Sequence, residues 1–493
     1  MLSGVINTNV NALFALNSLN NTTNTTATLE QELSTGLSIN SPADNPAGYI
    51  AAQGFTSQLS GVNQATSNAN QAISLVQTAD GAITQQVNIL QNILSIASQA
   101  ANGGATSQQL ASLQQVVSQL QTEVSSIANQ TNFNGVGLLN GTFATNFQVG
   151  ADAGQTIGLT LGSTAANLIG AYGSSPAAGG IYVATGAGTG GVGDNTGNSF
   201  TISAAGAGAF TAGTVGVSGS AGNASVAVTA AESALNVAAA VNGITSKTSV
   251  TASADTSAAF TVTAGTLSFT LGNGTGAAQT NITHISATVS SVTAAGLANL
   301  VSQINQATGQ TGVVAAVNSN NQLVLTQSQG DNISIAGFAG TGSLAAGGTT
   351  IETAGGTTNA TVQGLTTLQS TQSFGLSSTD FGLAVGSSLS ALSQVNVSTQ
   401  AGATAAINVV NFALQQLENV GGQLGAVQQE LQATVANLQS TDTNITAAQG
   451  VVQDANIPQV TTQMSQQEIL QQAGVTALAD SNTLQQSFLK LLQ

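Results

Sequence analysis

The chain has 493 residues, enough for several domains, yet only 4% of them are charged, against roughly 25% in ordinary soluble domains. Two Lys (Lys247 and Lys490), no Arg and a formal net charge of −16 exclude a nucleic-acid binder, which neutralises phosphates with a basic face. One His (His284) and no Cys leave no thiol chemistry, no disulfide and no zinc–thiolate site, and Asn, Gln, Ser and Thr do the solubilising.

Residues 1–20 lack a basic start and Asn interrupts their apolar runs, so a cleavable secretory signal is not expected. No apolar run approaches the ~18–20 residues that span a bilayer, so no membrane insertion is expected. Val5, Val10, Leu13, Leu16, Leu29, Leu33 and Leu37 recur at helical spacing, but Asn20 to Thr26 is wholly Asn and Thr. These compete for backbone hydrogen bonds, so the helix is marginal alone. Beyond Ile39, both Ser41-Pro42-Ala43-Asp44 and Asn45-Pro46 offer an N-cap followed by Pro at the first helical position. A chain break and a restart fall at one or the other.

Polar helix continues to about Thr78. Ile83, Val87, Leu90, Leu94, Ala97 and Ala101 then step by four and three, a heptad seam. Ala101-Asn102-Gly103-Gly104 ends that helix. The next begins near Thr106-Ser107 and aligns Leu110, Leu113, Val117, Leu120, Val124 and Ile127, which predicts an antiparallel hairpin. Turn chemistry at Asn129 to Gly135 leads into an alternating stretch, Phe147 to Ile157, that reads as a short β element.

From about Asn167 to Ser388 the chain is rich in Gly, Ala, Ser and Thr, with short alternating apolar runs. An internal repeat appears at an offset of 63 residues: Val241-Asn242 matches Ile304-Asn305, Val250 matches Val313, and Phe260 to Thr263 matches Leu323 to Thr326. Upstream, Ser199-Phe200-Thr201-Ile202 resembles Ser268-Phe269-Thr270-Leu271. Each copy reads strand, short helix, two strands.

Helical periodicity returns near Thr399. Val420, Leu424, Val427, Leu431, Val435 and Leu438 form a third seam, with Ile445 one heptad on and Thr434 at a position a strict heptad makes apolar. Ile457-Pro458 interrupts it. The last helix carries Met464, Ile469, Leu470, Ala473, Leu478, Leu484, Phe488, Leu491 and Leu492, too much apolar surface for a helix standing alone.

Catalytic chemistry has little support. His284 lies in a strand-like segment, no Gly-rich loop is followed by Lys between a strand and a helix, and the carboxylates are dispersed. No enzyme activity, cofactor or metal site is expected. The terminal stripes instead call for one another and for other copies, and identical subunits meeting head-to-tail without closing generate filaments.

Here the sequence resembles a known family. Ile6-Asn7-Thr8-Asn9, Leu33-Ser34-Thr35-Gly36-Leu37-Ser38-Ile39-Asn40-Ser41, Asp44-Asn45-Pro46-Ala47-Gly48, Asn129 to Gly135 and Ile469-Leu470-Gln471-Gln472-Ala473-Gly474 look like bacterial flagellin. The resemblance covers roughly residues 1–160 and 395–493, and the central repeat resembles a small β-rich motif of flagellins and hook-associated proteins. It implies an α + β multidomain fold: a long α-helical coiled-coil core built from both termini, with an inserted β-rich central region. The implied organisation is an inner-tube helix (1–45), outer-tube helices and β element (46–165), a variable surface-exposed β-rich region (166–390, repeats at about 198–263 and 266–340), an outer-tube helix (391–450) and an inner-tube helix (451–493).

The resemblance also implies self-polymerisation into an extracellular filament for swimming motility, type III export, and dealings with the export apparatus, an export chaperone, the filament cap and hook-associated proteins. A hook–filament junction protein is the alternative within the family, and a surface adhesin the alternative outside it. The expected polymerisation contacts are Val5, Val10, Leu13, Leu16, Leu33, Leu37, Ile39, Leu90, Leu94, Ile469, Leu470, Leu478, Leu484, Phe488 and Leu491. Departures stand at Ser38, where the family usually has arginine, and at Asn92, Ile96 and Val116. These three match positions where the family carries arginine, leucine and glutamate for a vertebrate innate receptor, so weak activation is expected. Because Asp and Glu titrate near pH ~4 and bases are scarce, assembly is expected to tolerate pH near ~3.

Overall fold

The computed structural model describes residues 9–173, 181–184, 213–228, 232–275, 278–346, 349–351, 359–378 and 387–491. Helices in chain order are α1 (Val10–Thr35), α2 (Pro46–Ala101), α3 (Ser107–Gln130), α4 (Ala234–Asn242), α5 (Thr245–Thr248), α6 (Ala294–Gln306), α7 (Thr308–Thr311), α8 (Gln400–Gln453) and α9 (Ile457–Leu491). Two compact units result: Met1–Thr78, Ala144–Thr160 and Gln423–Gln493 form the first; Ala79–Phe143 and Leu161–Gly422 form the second.

In the first unit, α1 is one uninterrupted helix despite its Asn/Thr middle. The Asn9 carboxamide caps it by accepting from Ala12 N, and Gly36 closes it at φ 74°, where a Cβ would be strained. Of the two restart sites, Asn45 starts the helix: its Oδ1 accepts from Gly48 N at 3.0 Å and Pro46 takes the first helical position. Asp44 serves the break instead, accepting from Asn40 N (2.9 Å), Ser41 N (2.7 Å) and Ser41 Oγ (3.2 Å). Strands Ala144–Gln148 and Thr156–Thr160 pair antiparallel, and Asn68 Nδ2 donates to Gln148 O at 3.0 Å. Val62 and Ala65 of α2 pack with Leu438 of α8, and Ile445 joins them.

In the second unit, the helical seams sit partly one residue away from the expected positions. Buried along α2 are Ile83, Gln86, Leu90, Ile93, Ala97 and Ala100; along α3 they are Val117, Gln121, Val124 and Ala128. Gln86 and Gln121 thus occupy places where apolar Val87 and Leu120 looked the obvious choice. The reason is hydrogen bonding: a buried amide is tolerated when its N–H donors find backbone carbonyls to bond. Gln86 Nε2 donates to Val124 O (2.9 Å) and Thr164 O (3.4 Å); Gln121 Nε2 donates to Leu392 O (2.7 Å) and Val395 O (3.1 Å). The 3₁₀ turn Leu392–Gln394 is thereby tied to α3. Thr106 caps α3 with Gln109 in a capping box, and Asn134-Gly135, at φ 52° and 81°, make the tight turn between Asn132–Phe133 and Val136–Gly137.

The β-rich part is antiparallel throughout. One sheet runs Ala278–Val289, Gly265–Thr275, Ile333–Gly340, Asn359–Val362, Ile181–Ala184; a larger one begins Val313–Val317, Leu323–Gln327, Thr251–Val262, Leu365–Ser370. Its main core gathers Phe260, Phe269, Leu297, Ile304, Leu325 and Phe338, with the Phe269 and Phe338 rings stacked at 5.9 Å. A second core gathers Val217, Val237, Val241, Val250 and Phe374.

The sequence repeat returns as repeated bonding. Asn242 exchanges two hydrogen bonds with Ala252 (2.8 and 2.7 Å), and Asn305 exchanges two with Ala315 (2.9 and 2.7 Å). Thr245 donates to Val250 O at 2.9 Å and Thr308 to Val313 O at 2.7 Å. Left-handed Ser249 and Gly312 close α5 and α7 alike. The upstream match at Ser199 to Ile202 lies outside the described residues.

Candidate functional site

The terminal pair α1/α9 carries the expected site, and its chemistry follows from which residues each helix turns inward. The buried or half-buried positions include Ala12, Ala15, Leu19, Thr22, Thr26, Leu29 and Leu33 on α1, with Glu32 beside them, and Val460, Met464, Gln467, Gln471, Gly474, Leu478 and Ser481 on α9, with Thr461 beside them. Both sets step by three and four, the register of an antiparallel coiled pair. The register is tied at three points. Asn9 Nδ2 donates to Ser481 O (3.2 Å) and Asn9 Oδ1 accepts from Ser481 Oγ (3.1 Å); Gln471 Nε2 donates to Thr23 Oγ1 (3.4 Å); and Gly474 faces Leu19, whose Cδ1 lies 3.6 Å from where a Cβ would stand.

This seam is made mostly of small and polar side chains. Thr is accommodated because its hydroxyl bonds back within the helix, Thr22 Oγ1 to Ser18 O and Thr26 Oγ1 to Thr22 O, both at 2.9 Å, so that only a methyl is left to bury. Several large apolar residues face outward: Val10 is 50% exposed, Leu13 55%, Phe14 71%, Ile469 67% and Leu484 55%, with Leu16, Leu470 and Val475 also exposed.

The breaks at Gly36–Asn45 and Asp454–Asn456 clamp each other. Leu37 and Asp454 form an antiparallel bridge, Ser38 N donates to Gln453 O (2.7 Å), and Ala455 N donates to Gly36 O (2.9 Å). Ser38, where the family usually has arginine, adds its own hydroxyl to Gln453 O at 3.2 Å. Two carboxylates here are shifted in opposite directions. The Asn40 and Ser41 donors hold Asp44 below the usual carboxylate range, while burial and the neighbouring Asp44 charge push Glu32 up. Nearby in the same unit is a cleft of ≈ 540 Å³ with Val62, Val149, Leu438 and Ile445 among apolar liners and Gln58, Asp152, Gln155 and Asn437 among polar ones.

The other expected contact residues scatter. Leu33, Leu37, Leu94 and Leu478 are half-buried, and Ile39 and Leu90 are buried inside their own subunit, so they face this chain rather than another. Val5 and the side chains of Phe488 and Leu491 lie outside the described residues. Of the receptor-matching positions, Asn92 and Val116 are exposed and Ile96 half-buried. Sequence reading missed Phe14 and Val475, both visible as apolar residues in the terminal helices. His284 is exposed, 3.5 Å from Ser268 Oγ. Among the described residues no group of three or more His, Cys, Asp or Glu is placed to hold a metal ion, and no helix is long and apolar enough to cross a membrane.

Comparison with known proteins decides the family. Residues 6–144 match the bacterial flagellin N-terminal helical region, 407–492 the bacterial flagellin C-terminal helical region, and 266–329 the flagellin hook IN motif. B-type flagellin of Pseudomonas aeruginosa is 33% identical over 514 residues, covering 99% of each chain. The chain belongs to the bacterial flagellin family. Flagellin from Salmonella rubislaw is 29% identical over 518 residues, covering 100% of both, and flagellin B of Vibrio anguillarum 27% identical over 492, covering 99% of both. The chain is therefore a structural subunit that self-polymerises into the extracellular flagellar filament for swimming motility. The α + β architecture, long terminal helices with a β-rich insert, agrees with that role.

Proposed function

We propose that the outward apolar face of α1 and α9, namely Val10, Leu13, Phe14, Leu16, Ile469, Leu470, Val475 and Leu484, is the surface on which copies of the filament subunit meet. The observation behind this reading is the set of uncovered residues: beside a seam that mixes Leu, Val and Met with small and polar side chains, these large apolar residues are left exposed. Exposed Leu and Ile in such number oppose solubility unless another surface covers them. Val5, Phe488 and Leu491 extend the same stripe by sequence. The terminal pair is then the inner helical layer of the filament.

Substituting Leu484 by Asp tests the assignment. The variant should be a folded, secreted monomer that does not polymerise, because a carboxylate replaces a contact and not a core residue. Wild-type filaments from Leu484→Asp would remove this face from the interface. In the same reading the chain acts without catalysis, passes through the flagellar export apparatus with a chaperone, and elongates under the filament cap beyond hook-associated proteins. Asn92, Ile96 and Val116, in place of arginine, leucine and glutamate, leave the innate receptor weakly engaged. A reporter-cell assay giving full potency for purified monomer would overturn that part alone.

A further inference from the structure

A strand at the end of a sheet presents unpaired N–H and C=O groups, and these invite pairing with another chain. Several strands end a sheet among the described residues, and two of them, Val313–Val317 on the larger sheet and Ala278–Val289 on the five-stranded one, are bonded along part of their outward side by side chains from a single segment, α6–α7.

On the first edge, Ala315 N donates to Asn305 Oδ1 (2.7 Å) and Asn305 Nδ2 donates to Ala315 O (2.9 Å). Two residues earlier, facing the same way, Thr308 Oγ1 donates to Val313 O (2.7 Å) and Val313 N donates to Thr311 Oγ1 (3.2 Å). On the second edge, Ser286 N donates to Gln303 Oε1 and Gln310 Nε2 donates to Ile282 O, both at 3.0 Å. Thr283 Oγ1 fixes the Gln310 amide by donating to its Oε1 at 2.9 Å. A primary amide carries a donor and an acceptor in one plane, as a peptide group does. Asn305 therefore stands where the peptide of an added strand would bond.

We propose that α6–α7 is an edge seal that prevents the β-rich region of one copy from pairing, strand to strand, with that of another. The device matters in this chain because self-polymerisation brings identical edges to high local concentration. An open edge on each of many tethered copies would join neighbouring regions, or neighbouring filaments, in a way that the helical contacts do not control. The equivalent Asn242 makes the same two bonds to Ala252 on Thr251–Val262, an interior strand that Leu365–Ser370 flanks at Ala252 and that Leu323–Gln327 flanks only from Thr256 on. It supplies the comparison: equal loss of hydrogen bonds, but only the short stretch Thr251–Asp255 uncovered, hemmed in by the end of Leu323–Gln327.

The test uses filaments of the full-length chain carrying Asn305→Ala, Gln303→Ala or Asn242→Ala. Asn305 and Asn242 are exposed and Gln303 half-buried, so truncation leaves the core intact. Amide exchange should rise at Ala315, Ser286 and Ala252 respectively, by about fivefold or more, the factor one net hydrogen bond represents. Electron microscopy should show Asn305→Ala and Gln303→Ala filaments associating side by side, and Asn242→Ala filaments staying separate. Separate filaments from Asn305→Ala with Ala315 exchanging fast would overturn the proposal. So would equal bundling by Asn242→Ala, which would make lost stability the cause, or unchanged exchange at Ala315, which would mean that Asn305 seals nothing.

Discussion

Truncating Ile469 should weaken assembly while leaving the subunit as stable as before. Full burial of an Ile side chain stabilises by ~1.5–3 kcal/mol. Ile469 is 67% exposed in the isolated subunit, so about two thirds of that gain is still to come when another copy covers it. That is ~1–2 kcal/mol for each subunit added, a factor of ~5–30 in the critical concentration for polymerisation. The measurement is the soluble concentration left after sedimenting filaments of Ile469→Ala beside wild type. Leu29→Ala provides the contrast, since Leu29 is 6% exposed and its contacts lie inside the pair. It should speed amide exchange along α1 in the monomer, which Ile469→Ala should not. A wild-type critical concentration for Ile469→Ala, or faster exchange in α1 from it, would refute the division of labour between the two faces.

Three more expectations concern the fold. Gly425 lies within α8 with nothing within 4 Å of the position a Cβ would take. Gly425→Ala should therefore stabilise by up to ~1 kcal/mol through helix propensity alone, read as a raised Tm. Gln121→Ala should lower the Tm, because it removes two buried hydrogen bonds, to Leu392 O and Val395 O, at ~0.5–1.5 kcal/mol each. Filaments should persist to pH ~3, judged by turbidity and microscopy. Asp44, lowered in the folded chain, stabilises above the unfolded Asp range and loses that contribution only as pH falls through its depressed value. Glu32, raised, acts with the opposite sign and is relieved of strain on protonation, so the two partly offset at the same joint. Asp44→Asn should move the acid limit at that joint, and depolymerisation of wild type well above pH ~3 would contradict the account.

What could be read from sequence divides along physical lines. Helix ends were legible where a cap carries its own chemistry, as at Thr106 and at Asn45 with Pro46. The repeat was legible because Asn242 and Asn305 each bond a fixed partner ten residues on. The seams were legible in period but not in phase. Apolar periodicity ranks Val87 and Leu120 above Gln86 and Gln121, and only the positions of Thr164, Leu392 and Val395, set by distant parts of the chain, reverse that order. The inward side of α1 was hard to read for a related reason. Thr22 and Thr26 look like solvent-facing residues until the hydroxyls are seen to bond their own helix.

The polar part of the seam bears on how the subunit works. Ala, Thr, Gln, Gly and Ser take many of the inward positions, beside Leu19, Leu29, Leu33, Val460, Met464 and Leu478, and α1 is a poor helix former through Asn20 to Thr26. On the proposed interface, Val10, Leu13, Phe14, Ile469 and Leu484 become buried only when other copies arrive. The free energy that orders the termini then includes part of the free energy of polymerisation, and the two cannot be tuned separately by strengthening the seam. Replacing Thr22 and Thr26 with Leu would stabilise the monomer's pair and lower the difference between free and assembled states. The polar seam is thus part of what keeps free subunits loosely paired until neighbours cover Leu13, Ile469 and Leu484.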